Sequence, residues 1–348
     1  MIKRLRLENF KGVVEGEVEL DKLTILVGPN NSGKTTILEA LFLAPNPFRL
    51  VPYYPLTAIE LLQEYHKTLS DKGYAFLLNK YIAKKMVIKV DDRELLFTKD
   101  FEARIKIYTN YFPVGYSSNL RRVGDKLRRV GDKSYMYLGY LHPDGSAGFD
   151  PDVVDILFTD NTLILSTKLV KFAHEYLLKK WIEILNTGVP SLIAKDVSRF
   201  VSEEYWNISA EPFMAGSMTF YVLLADGTRI RLGDLGAGVH LYITNRLLYE
   251  HYKPDVVLWD DLETHFNPRL LSHITEWFAD LVEEGKQVIV STHSLEVVEK
   301  IISYVNDATV LLTSLRDGKL RARRVKPDEL EEWAKAGIDP RSAEVFLL

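Results

Sequence analysis

The chain has 348 residues, and its 44 Lys and Arg residues stand against 48 Asp and Glu residues, for a net charge of −4. Apolar residues make up 47% of the sequence, which is typical of globular proteins and excludes collagen-like and disordered classes. Cysteine is absent, which excludes disulfides, thiolate metal sites and cysteine nucleophiles. Because the net charge is slightly negative, any contact with nucleic acid must depend on a local basic patch.

The N-terminal segment predicts three strands followed by a loop and a helix. Apolar and charged residues alternate over 2–9 and again over 13–20, which predicts two strands. The apolar run 23–27 predicts a buried strand, and apolar residues at helical spacing predict a helix over 35–43. The segment lacks the apolar core of a signal peptide, and no run in the chain reaches the length of a membrane span. We therefore expect a cytoplasmic protein with no membrane partner.

Residues 28–35 read Gly-Pro-Asn-Asn-Ser-Gly-Lys-Thr and match the phosphate-loop motif G-x-x-x-x-G-K-[ST]. Backbone N–H groups of such a loop wrap a phosphate, and the following helix directs its positive end at the same anion. Lys34 would reach the outer phosphates of ATP, and the Thr35 hydroxyl would bind Mg²⁺. The residues predicted to bind ATP are Asn30, Asn31, Ser32, Gly33, Lys34, Thr35 and Thr36.

Residues 45–225 predict an inserted lobe of mixed helices and short strands. Helices are expected near 57–68 and 165–185, with turn signals between the strands. A seven-residue repeat within 121–133 brings six cations together with two anions. This stretch predicts a basic hairpin that faces nucleic acid or a partner, and a solvated strand pair that protects a sheet edge is the alternative. Its cations are Arg121, Arg122, Lys126, Arg128, Arg129 and Lys133.

From residue 237 onward, predicted helices alternate with predicted strands, and this order indicates a mostly parallel sheet with helices on both faces. The expected elements are a helix to about residue 251, a strand at 256–259, a helix at 268–284, a strand at 287–290, a helix from Leu295, a hairpin at 308–325 and a short helix near 328–335.

Two acids follow the predicted strand 256–259. A phosphate-loop site needs a carboxylate at the end of a neighbouring buried strand, so Asp260 is the expected Mg²⁺ ligand together with Thr35. Asp261 or Glu263 could accept a proton from an attacking water. A solvated acidic loop after a core strand is the alternative interpretation.

His293 follows the predicted strand 287–290, at the end of the strand where open α/β sheets bind ligands. It could form a hydrogen bond with a γ-phosphate or with a water, and a structural histidine is the alternative. The catalytic candidates are therefore Asp261, His293 and Glu263. No zinc site is expected, because His265 and His293 have no third ligand at suitable spacing.

Together these elements resemble the ABC/SMC-like branch of P-loop ATPases, in particular its RecF-like, OLD-like and AbiEii-toxin-associated AAA domains. The likeness lies in MIKRLRLENFKG, in LTILVGPNNSGKTTILEAL, in VVLWDDLETHFNP, which resembles the Walker B and D-loop pattern, and in VIVSTHS, which resembles the switch-histidine strand. LGDLGAGVHLYI resembles the signature motif. The resemblance implies an ABC-type α/β fold with a mixed sheet and helices on both faces, an ATPase domain formed by 1–44 and 226–348, and an inserted α+β lobe at 45–225.

The sequence departs from the family pattern in four places. Asp261 stands where the family usually has a catalytic Glu, and Asn267 replaces the second D-loop histidine. Gly236 replaces the signature serine. The Q-loop element is unassigned, because neither Gln63 nor Gln287 lies where its glutamine belongs.

In the family, two subunits close head to tail, and each completes the other's ATP site with its signature helix. The resemblance implies that Gly236, Ala237 and Gly238 are this signature and that ATP joins two copies into a homodimer. A helix N-terminus would direct free N–H groups at the facing γ-phosphate. A glycine-rich turn before a core helix is the alternative.

The leading hypothesis is an ATPase whose ATP-dependent dimerisation drives DNA repair or defence against foreign DNA. This hypothesis makes DNA an expected partner. About 55 residues follow His293, which leaves no room for the nuclease domain of OLD-like relatives. We therefore also expect a separate nuclease or effector protein as a partner. The alternative is a regulatory ATP-sensing module that binds a protein partner and hydrolyses ATP slowly because of Asp261. A transporter subunit is disfavoured by the long insertion, and a GTPase is disfavoured by the lack of an N-K-x-D motif.

Overall fold

The structure, a computed structural model, describes residues 1–112, 127–130, 132–305, 307–339 and 341. The strands are β1 (Arg4–Phe10), β2 (Val13–Glu19), β3 (Leu23–Val27), β4 (Lys85–Val90), β5 (Arg93–Lys99), β6 (Ile105–Thr109), β7 (Leu127–Val130), β8 (Lys133–Leu141), β9 (Ala147–Phe149), β10 (Thr162–Leu165), β11 (Tyr205–Pro212), β12 (Met218–Leu224), β13 (Arg229–Arg231), β14 (Val256–Trp259), β15 (Gln287–Thr292), β16 (Thr309–Arg316) and β17 (Lys319–Val325). The helices are α1 (Lys34–Leu43), α2 (Ala58–His66), α3 (Val170–Lys179), α4 (Trp181–Leu185), α5 (Val189–Val197), α6 (Ala237–Tyr252), α7 (Pro268–Glu283), α8 (Leu295–Tyr304) and α9 (Pro327–Lys335).

One continuous mixed sheet dominates the described residues. Its strand order is β10-β14-β15-β3-β16-β17-β2-β1-β4-β5-β6-β8-β7, and β9 pairs with β8. The five strands from β10 to β16 run parallel. Every residue of β3, β14 and β15 is buried, which explains why β3, β14 and the centre of β15 are almost continuously apolar in sequence. The α/β fold class predicted from the sequence is confirmed.

Among the helices next to the parallel strands, α7 and α8 each begin directly after a residue whose side chain caps the helix N-terminus. Helix α1 packs on β10, β14 and β15, and both α7 and α8 pack on β15. Asn267 caps α7 by accepting a hydrogen bond from the N–H of Leu270, and Pro268 occupies the first turn. Ser294 caps α8 by accepting from the N–H of Val297. Of the helices described, none is both long and apolar enough to cross a membrane.

The middle of the chain contributes strands to this same sheet. Strands β4, β5, β6 and β8 extend it from β1, and β10 pairs in parallel with β14. The helix expected over 165–185 is wrong at its start, because 162–165 is the buried strand β10 and α3 begins at Val170. A short apolar run has no periodicity that separates a buried strand from a helix. The strands of 45–225 are thus partly shared with the main sheet, and the proposed domain boundaries remain a prediction.

The predicted basic hairpin is described only in part. Arg121, Arg122 and Lys126 lie outside the described residues. Strand β7 pairs with β8 at the sheet edge, and it exposes the side chains of Arg128 and Arg129. The Lys133 ammonium is instead paired with the buried Glu94 carboxylate at 2.7 Å.

Candidate functional site

The predicted site residues meet at one edge of the sheet. Because β3, β14 and β15 are parallel, the segments that follow them lie side by side at their carboxyl ends. The cleft at this edge has a volume of about 700 Å³, and we call it the phosphate-loop cleft. The predicted residues that line it are Asn30, Asn31, Ser32, Gly33, Lys34, Thr35, Thr36, Asp260, Asp261 and His293.

The backbone of the phosphate loop requires glycine at its last turn. Gly33 has a φ of 93° and caps the N-terminus of α1. A Cβ atom there would lie 2.7 Å from Cδ1 of Leu320. Asn31 also has a positive φ, of 62°. These conformations form the tight turn that leads β3 into α1 and presents the first N–H groups of the helix to the cleft.

The Lys34 side chain folds back over the phosphate loop. Its ammonium donates to the carbonyl oxygens of Gly28 and Pro29, both at 2.9 Å, and the residue is only 5% exposed. Burial lowers the pKa of Lys34 to about 8, although the charges of Asp261 and Asp260 oppose this shift. The ammonium is still the major form at neutral pH, and it provides a buried positive charge beside the loop.

Asp260 is a buried carboxylate surrounded by hydroxyl donors. The Thr35 hydroxyl lies 3.0 and 3.1 Å from its two oxygens, the Ser291 hydroxyl donates at 2.6 Å and the Tyr65 hydroxyl donates at 2.5 Å. These bonds compensate for the burial of the carboxylate, which is 4% exposed.

The donor set of Asp260 and Thr35 consists only of oxygen atoms. It fits Mg²⁺, which binds one or two protein oxygens and completes its shell with phosphate and water. In the described part of the chain, no group of three or more His, Cys, Asp or Glu side chains could hold a metal by itself. A metal in this cleft would therefore depend on a phosphate ligand for much of its coordination.

Asp261 differs from its neighbour in conformation and in exposure. Its φ is 51°, its N–H donates to the Ser291 hydroxyl at 2.9 Å, and its carboxylate is half-exposed in the cleft. Nε2 of His293 lies 3.9 Å from Oδ1 of Asp261. Burial raises the pKa of Asp261 above its ordinary value, and the negative charges of Asp260 and Glu263 add to this effect. A carboxylate with a raised pKa that faces solvent is suited to accept a proton.

Glu263 does not line the cleft. Its two carboxylate oxygens accept hydrogen bonds from the Thr292 hydroxyl and from the backbone N–H of His293, both at 2.7 Å. The guanidinium of Arg341 donates to the carbonyl oxygen of His293 at 2.5 Å. Glu263 thus holds the end of β15 in place, and no sequence pattern predicts this contact.

The predicted signature residues lie outside the phosphate-loop cleft. Gly236, Ala237 and Gly238 form the start of α6, and the first two are exposed. A Cβ atom at Gly238 would lie 2.5 Å from the carbonyl oxygen of His265, so this glycine allows the close approach of the segment before α7. None of the three lines the cleft of the same chain.

The two glutamines considered for the Q-loop, Gln63 and Gln287, lie outside the phosphate-loop cleft. Gln287 is buried, accepts from the N–H of Ile2 at 3.0 Å, and donates to the carbonyl oxygens of Ile2 and Asp21. Gln63 lines a neighbouring cleft of about 610 Å³. Neither lines the phosphate-loop cleft, so the Q-loop element stays unassigned.

Several residues of the cleft were not found from the sequence. Tyr65 and Lys168 lie in the segment that matched no motif, and both line the cleft. Lys11 also lines it, and its ammonium pairs with the fully buried Glu39 carboxylate of α1. His66 completes this group, with Nε2 at 2.5 Å from Glu39 and 2.8 Å from the Lys11 ammonium. Lys11 lies in the ENFKG sequence, and Tyr65 and His66 lie in α2, so these two segments are the sequence signals that could have indicated them. Lys168 lies in neither segment.

Comparison with known proteins gives both family and fold. Residues 1–191, more than half of the chain, match the family described as AAA ATPase domain. Residues 246–299 match the family described as AAA domain, putative AbiEii toxin, Type IV TA system. The structure of an SmcHead bound to the C-winged helix domain of ScpA matches with a TM-score of 0.52 and 12% identity, over 94% of this chain and 99% of that one. This last match shows a shared fold.

Two curated relatives match over short segments. The DNA double-strand break repair Rad50 ATPase of Methanopyrus kandleri is 46% identical over 52 residues, which are 14% of this chain and 6% of the relative. The OLD nuclease of Thermus scotoductus is 49% identical over 41 residues, which are 12% of this chain and 8% of the relative. The chain thus spans less than a tenth of the length of either relative. With the family match and the cleft geometry, these similarities lead to one conclusion: the chain belongs to the AAA ATPase domain family and has the fold of an SMC/ABC-like P-loop ATPase.

Proposed function

We propose that the protein binds ATP with Mg²⁺ in the phosphate-loop cleft, hydrolyses it, and uses ATP-dependent dimerisation to drive a process on DNA, either repair or defence against foreign DNA. The observation that carries the proposal is the convergence of three parallel strand ends on one cleft. These ends bring a buried lysine, a buried carboxylate with a neighbouring hydroxyl, and a half-exposed carboxylate with a raised pKa within reach of one ligand.

In this proposal, each side chain has one task. The loop N–H groups and the Lys34 ammonium bind the phosphates, and Thr35 with Asp260 would hold the metal ion. The metal would supply positive charge to the phosphate oxygens when bound. Asp261 accepts the proton of the attacking water, and His293, at 3.9 Å from Asp261, orients that water or the γ-phosphate.

The dimer part of the proposal concerns the N-terminus of α6. This helix has 16 residues and begins in the segment Gly236, Ala237 and Gly238, of which the first two residues are exposed. Exposed N–H groups at a helix N-terminus favour a negatively charged ligand. Because the segment does not line the cleft of its own chain, we propose that it faces the cleft of a second copy.

Two observations support DNA as a partner in this proposal: the descriptions of the two curated relatives and the exposed arginines of strand β7. One matched relative is described as a DNA double-strand break repair ATPase and the other as a nuclease. In this chain, the edge strand β7 exposes Arg128 and Arg129, which belong to the basic stretch 121–133. A separate nuclease or effector protein is the further partner that we propose.

The test is ATP turnover with and without duplex DNA, combined with a salt titration of DNA binding in the presence of ATP. We expect DNA to bind and to change the turnover rate. In the Arg128→Ala/Arg129→Ala variant, each lost phosphate contact should flatten the slope of log affinity against log salt by about 0.9. The control is the Arg4→Ala/Arg6→Ala variant, whose arginines are exposed but already ion-paired. Turnover without any binding of DNA would favour the ATP-sensing module that binds a protein partner.

A further inference from the structure

Lys168 differs from the other lysines of the phosphate-loop cleft, which are Lys11 and Lys34. Lys11 is paired with Glu39, and Lys34 donates to loop carbonyl oxygens. Lys168 is exposed, and within the described residues its ammonium has no carboxylate at ion-pair distance. Its nitrogen lies 4.6 Å from the ring centroid of Tyr65. Of the three lysines that line the cleft, Lys168 is therefore the one whose ammonium has neither an ion pair nor a hydrogen bond to a protein oxygen within the described residues.

The sheet topology fixes the position of Lys168. Strand β10 runs parallel to β14, with Leu165 in register with Trp259, and the N–H of Asp260 donates to the carbonyl oxygen of Leu165 at 3.0 Å. The chain then makes one turn of 3₁₀ helix, in which Leu169 is buried and Lys168 is exposed. A fourth parallel strand end thus reaches the same edge of the sheet as the three that form the predicted site.

Tyr65 connects Lys168 to the proposed metal site. Its hydroxyl donates to Asp260 at 2.5 Å and accepts from Ser166 at 3.4 Å, while its ring carries the Lys168 ammonium. Burial and the negative charge of Asp260 raise the pKa of Tyr65 far above its ordinary value, so the phenol stays a neutral donor. A cation over an aromatic face is held by the ring quadrupole, without neutralisation of its charge.

We propose that Lys168 is a ligand of the terminal phosphate of ATP and that Tyr65 is its positioning residue. The inference rests on the proposed function, because it requires a nucleotide in the cleft. In the sheet, β10 lies on the opposite side of β14 from β3, so Lys168 lies across Asp260 and Asp261 from the phosphate loop. The phosphate nearest to the proposed proton acceptor is the terminal one, and a cation on this side is placed to bind it.

The test compares the equilibrium affinities of fluorescent ATP and ADP analogues for the wild type and for Lys168→Ala, with thermal melting to confirm folding. The variant should lose ATP affinity by about tenfold or more, the size expected for a charged hydrogen bond, and ADP affinity should change by less than about twofold. Lys168→Arg should restore most of the ATP affinity. The matched control is Lys171→Ala, which removes an exposed lysine three residues further along the chain. Equal affinities of Lys168→Ala and the wild type for ATP, or equal losses for ATP and ADP, would overturn the inference.

Variants of Tyr65 separate the role of its ring, which contacts Lys168, from the role of its hydroxyl, which donates to Asp260. Tyr65→Phe keeps the ring under Lys168 and should keep the preference for ATP over ADP, whereas Tyr65→Leu should lose it as Lys168→Ala does.

Lys34→Ala distinguishes this inference from the proposed function. If the wild type binds ATP, Lys34→Ala does not, and Lys168→Ala matches the wild type, the inference fails and the proposed function stands. If the wild type binds neither nucleotide, both fail.

Discussion

The Ser291 hydroxyl donates a hydrogen bond of 2.6 Å to Oδ1 of Asp260, from the strand next to the one that Asp260 follows. The same hydroxyl oxygen accepts the N–H of Asp261 at 2.9 Å. One side chain thus fixes the buried carboxylate and the backbone of the adjacent acid. Asp260 lies among hydroxyl groups, whereas Asp261 is half-exposed with a raised pKa, so the two neighbouring acids are suited to different tasks.

The first prediction separates these two acids. Asp261→Asn should reduce ATP turnover by roughly 10²- to 10⁴-fold, the range of a lost general base, while ATP binding remains and the ATP-bound dimer is stabilised. Asp260→Asn should lose Mg²⁺-dependent ATP binding, and it should also lower the free energy of unfolding by about 1–3 kcal/mol, because hydroxyl donors would then face an amide NH₂ group. Single-turnover kinetics, size-exclusion chromatography with ATP and urea unfolding measure these effects. Wild-type turnover in Asp261→Asn would place the base elsewhere.

The second prediction concerns the ammonium of Lys34. Lys34→Ala should weaken ATP binding by roughly 10- to 150-fold, because it removes a charged partner of the phosphates. Calorimetry with ATP measures this loss, and Lys171→Ala is the control for the removal of one lysine. Equal affinity in Lys34→Ala would contradict the role of the loop.

The third prediction follows from the pKa of Lys34, which burial lowers to about 8 from an ordinary value of 10.5. Below pH 8, the folded and unfolded states both hold the proton, and the buried charge destabilises the fold. Between about pH 8 and pH 10.5, the folded state loses the proton first, so this group makes the free energy of unfolding rise with pH. Urea unfolding of the wild type and of Lys34→Met over this range isolates the effect as a difference in slope. Parallel pH curves for the two proteins would contradict it.

The sequence alone predicts the functional residues that lie within a few positions of a recognisable strand. The phosphate loop and Asp260 each follow a short buried strand, so a segment of about ten residues contains both the strand and the functional group. Tyr65 could not be predicted, because its partner Asp260 is 195 residues away and α2 has no motif. Lys168 was hidden for a different reason. The sequence pattern places Lys168 in a helix over 165–185 and does not predict β10, the four-residue buried strand that precedes it.

The fourth prediction concerns Glu263, the second candidate for the proton acceptor. Both its oxygens already accept hydrogen bonds from Thr292 and His293, so Glu263→Gln should act on stability. It should lower the free energy of unfolding by about 1–3 kcal/mol, because one donor at the end of β15 loses its acceptor, and it should leave ATP affinity unchanged. Thermal melting and single-turnover rates, measured beside Asp261→Asn, distinguish the two acids. A loss of turnover as large as that of Asp261→Asn, with unchanged stability, would make Glu263 the base.

The last prediction concerns the buried carboxylate of Glu39. Burial alone would raise its pKa, but the charge of Lys11 and the hydrogen bond from His66 outweigh burial and lower the pKa below the ordinary value of 4.5. A carboxylate with a lowered folded pKa contributes stability that is fully present above 4.5 and is lost as the pH falls through the folded pKa. Acid should therefore weaken the contacts of Glu39 with Lys11 and His66. These contacts join the end of β1 to α1 and α2 beside the phosphate loop.

Glu39→Gln should lower the free energy of unfolding at pH 7 by about 3–5 kcal/mol, because it leaves the Lys11 ammonium without its partner. The double variant Glu39→Gln/Lys11→Met removes both charges and should be more stable than Glu39→Gln alone, since no buried charge is left unpaired. Urea unfolding of the wild type, both single variants and the double variant, at pH 7 and at several values below pH 4.5, completes the cycle. The wild type should lose stability more steeply than Glu39→Gln as the pH falls. Equal acid slopes, or a double variant less stable than Glu39→Gln, would show that the ion pair does not carry this stability.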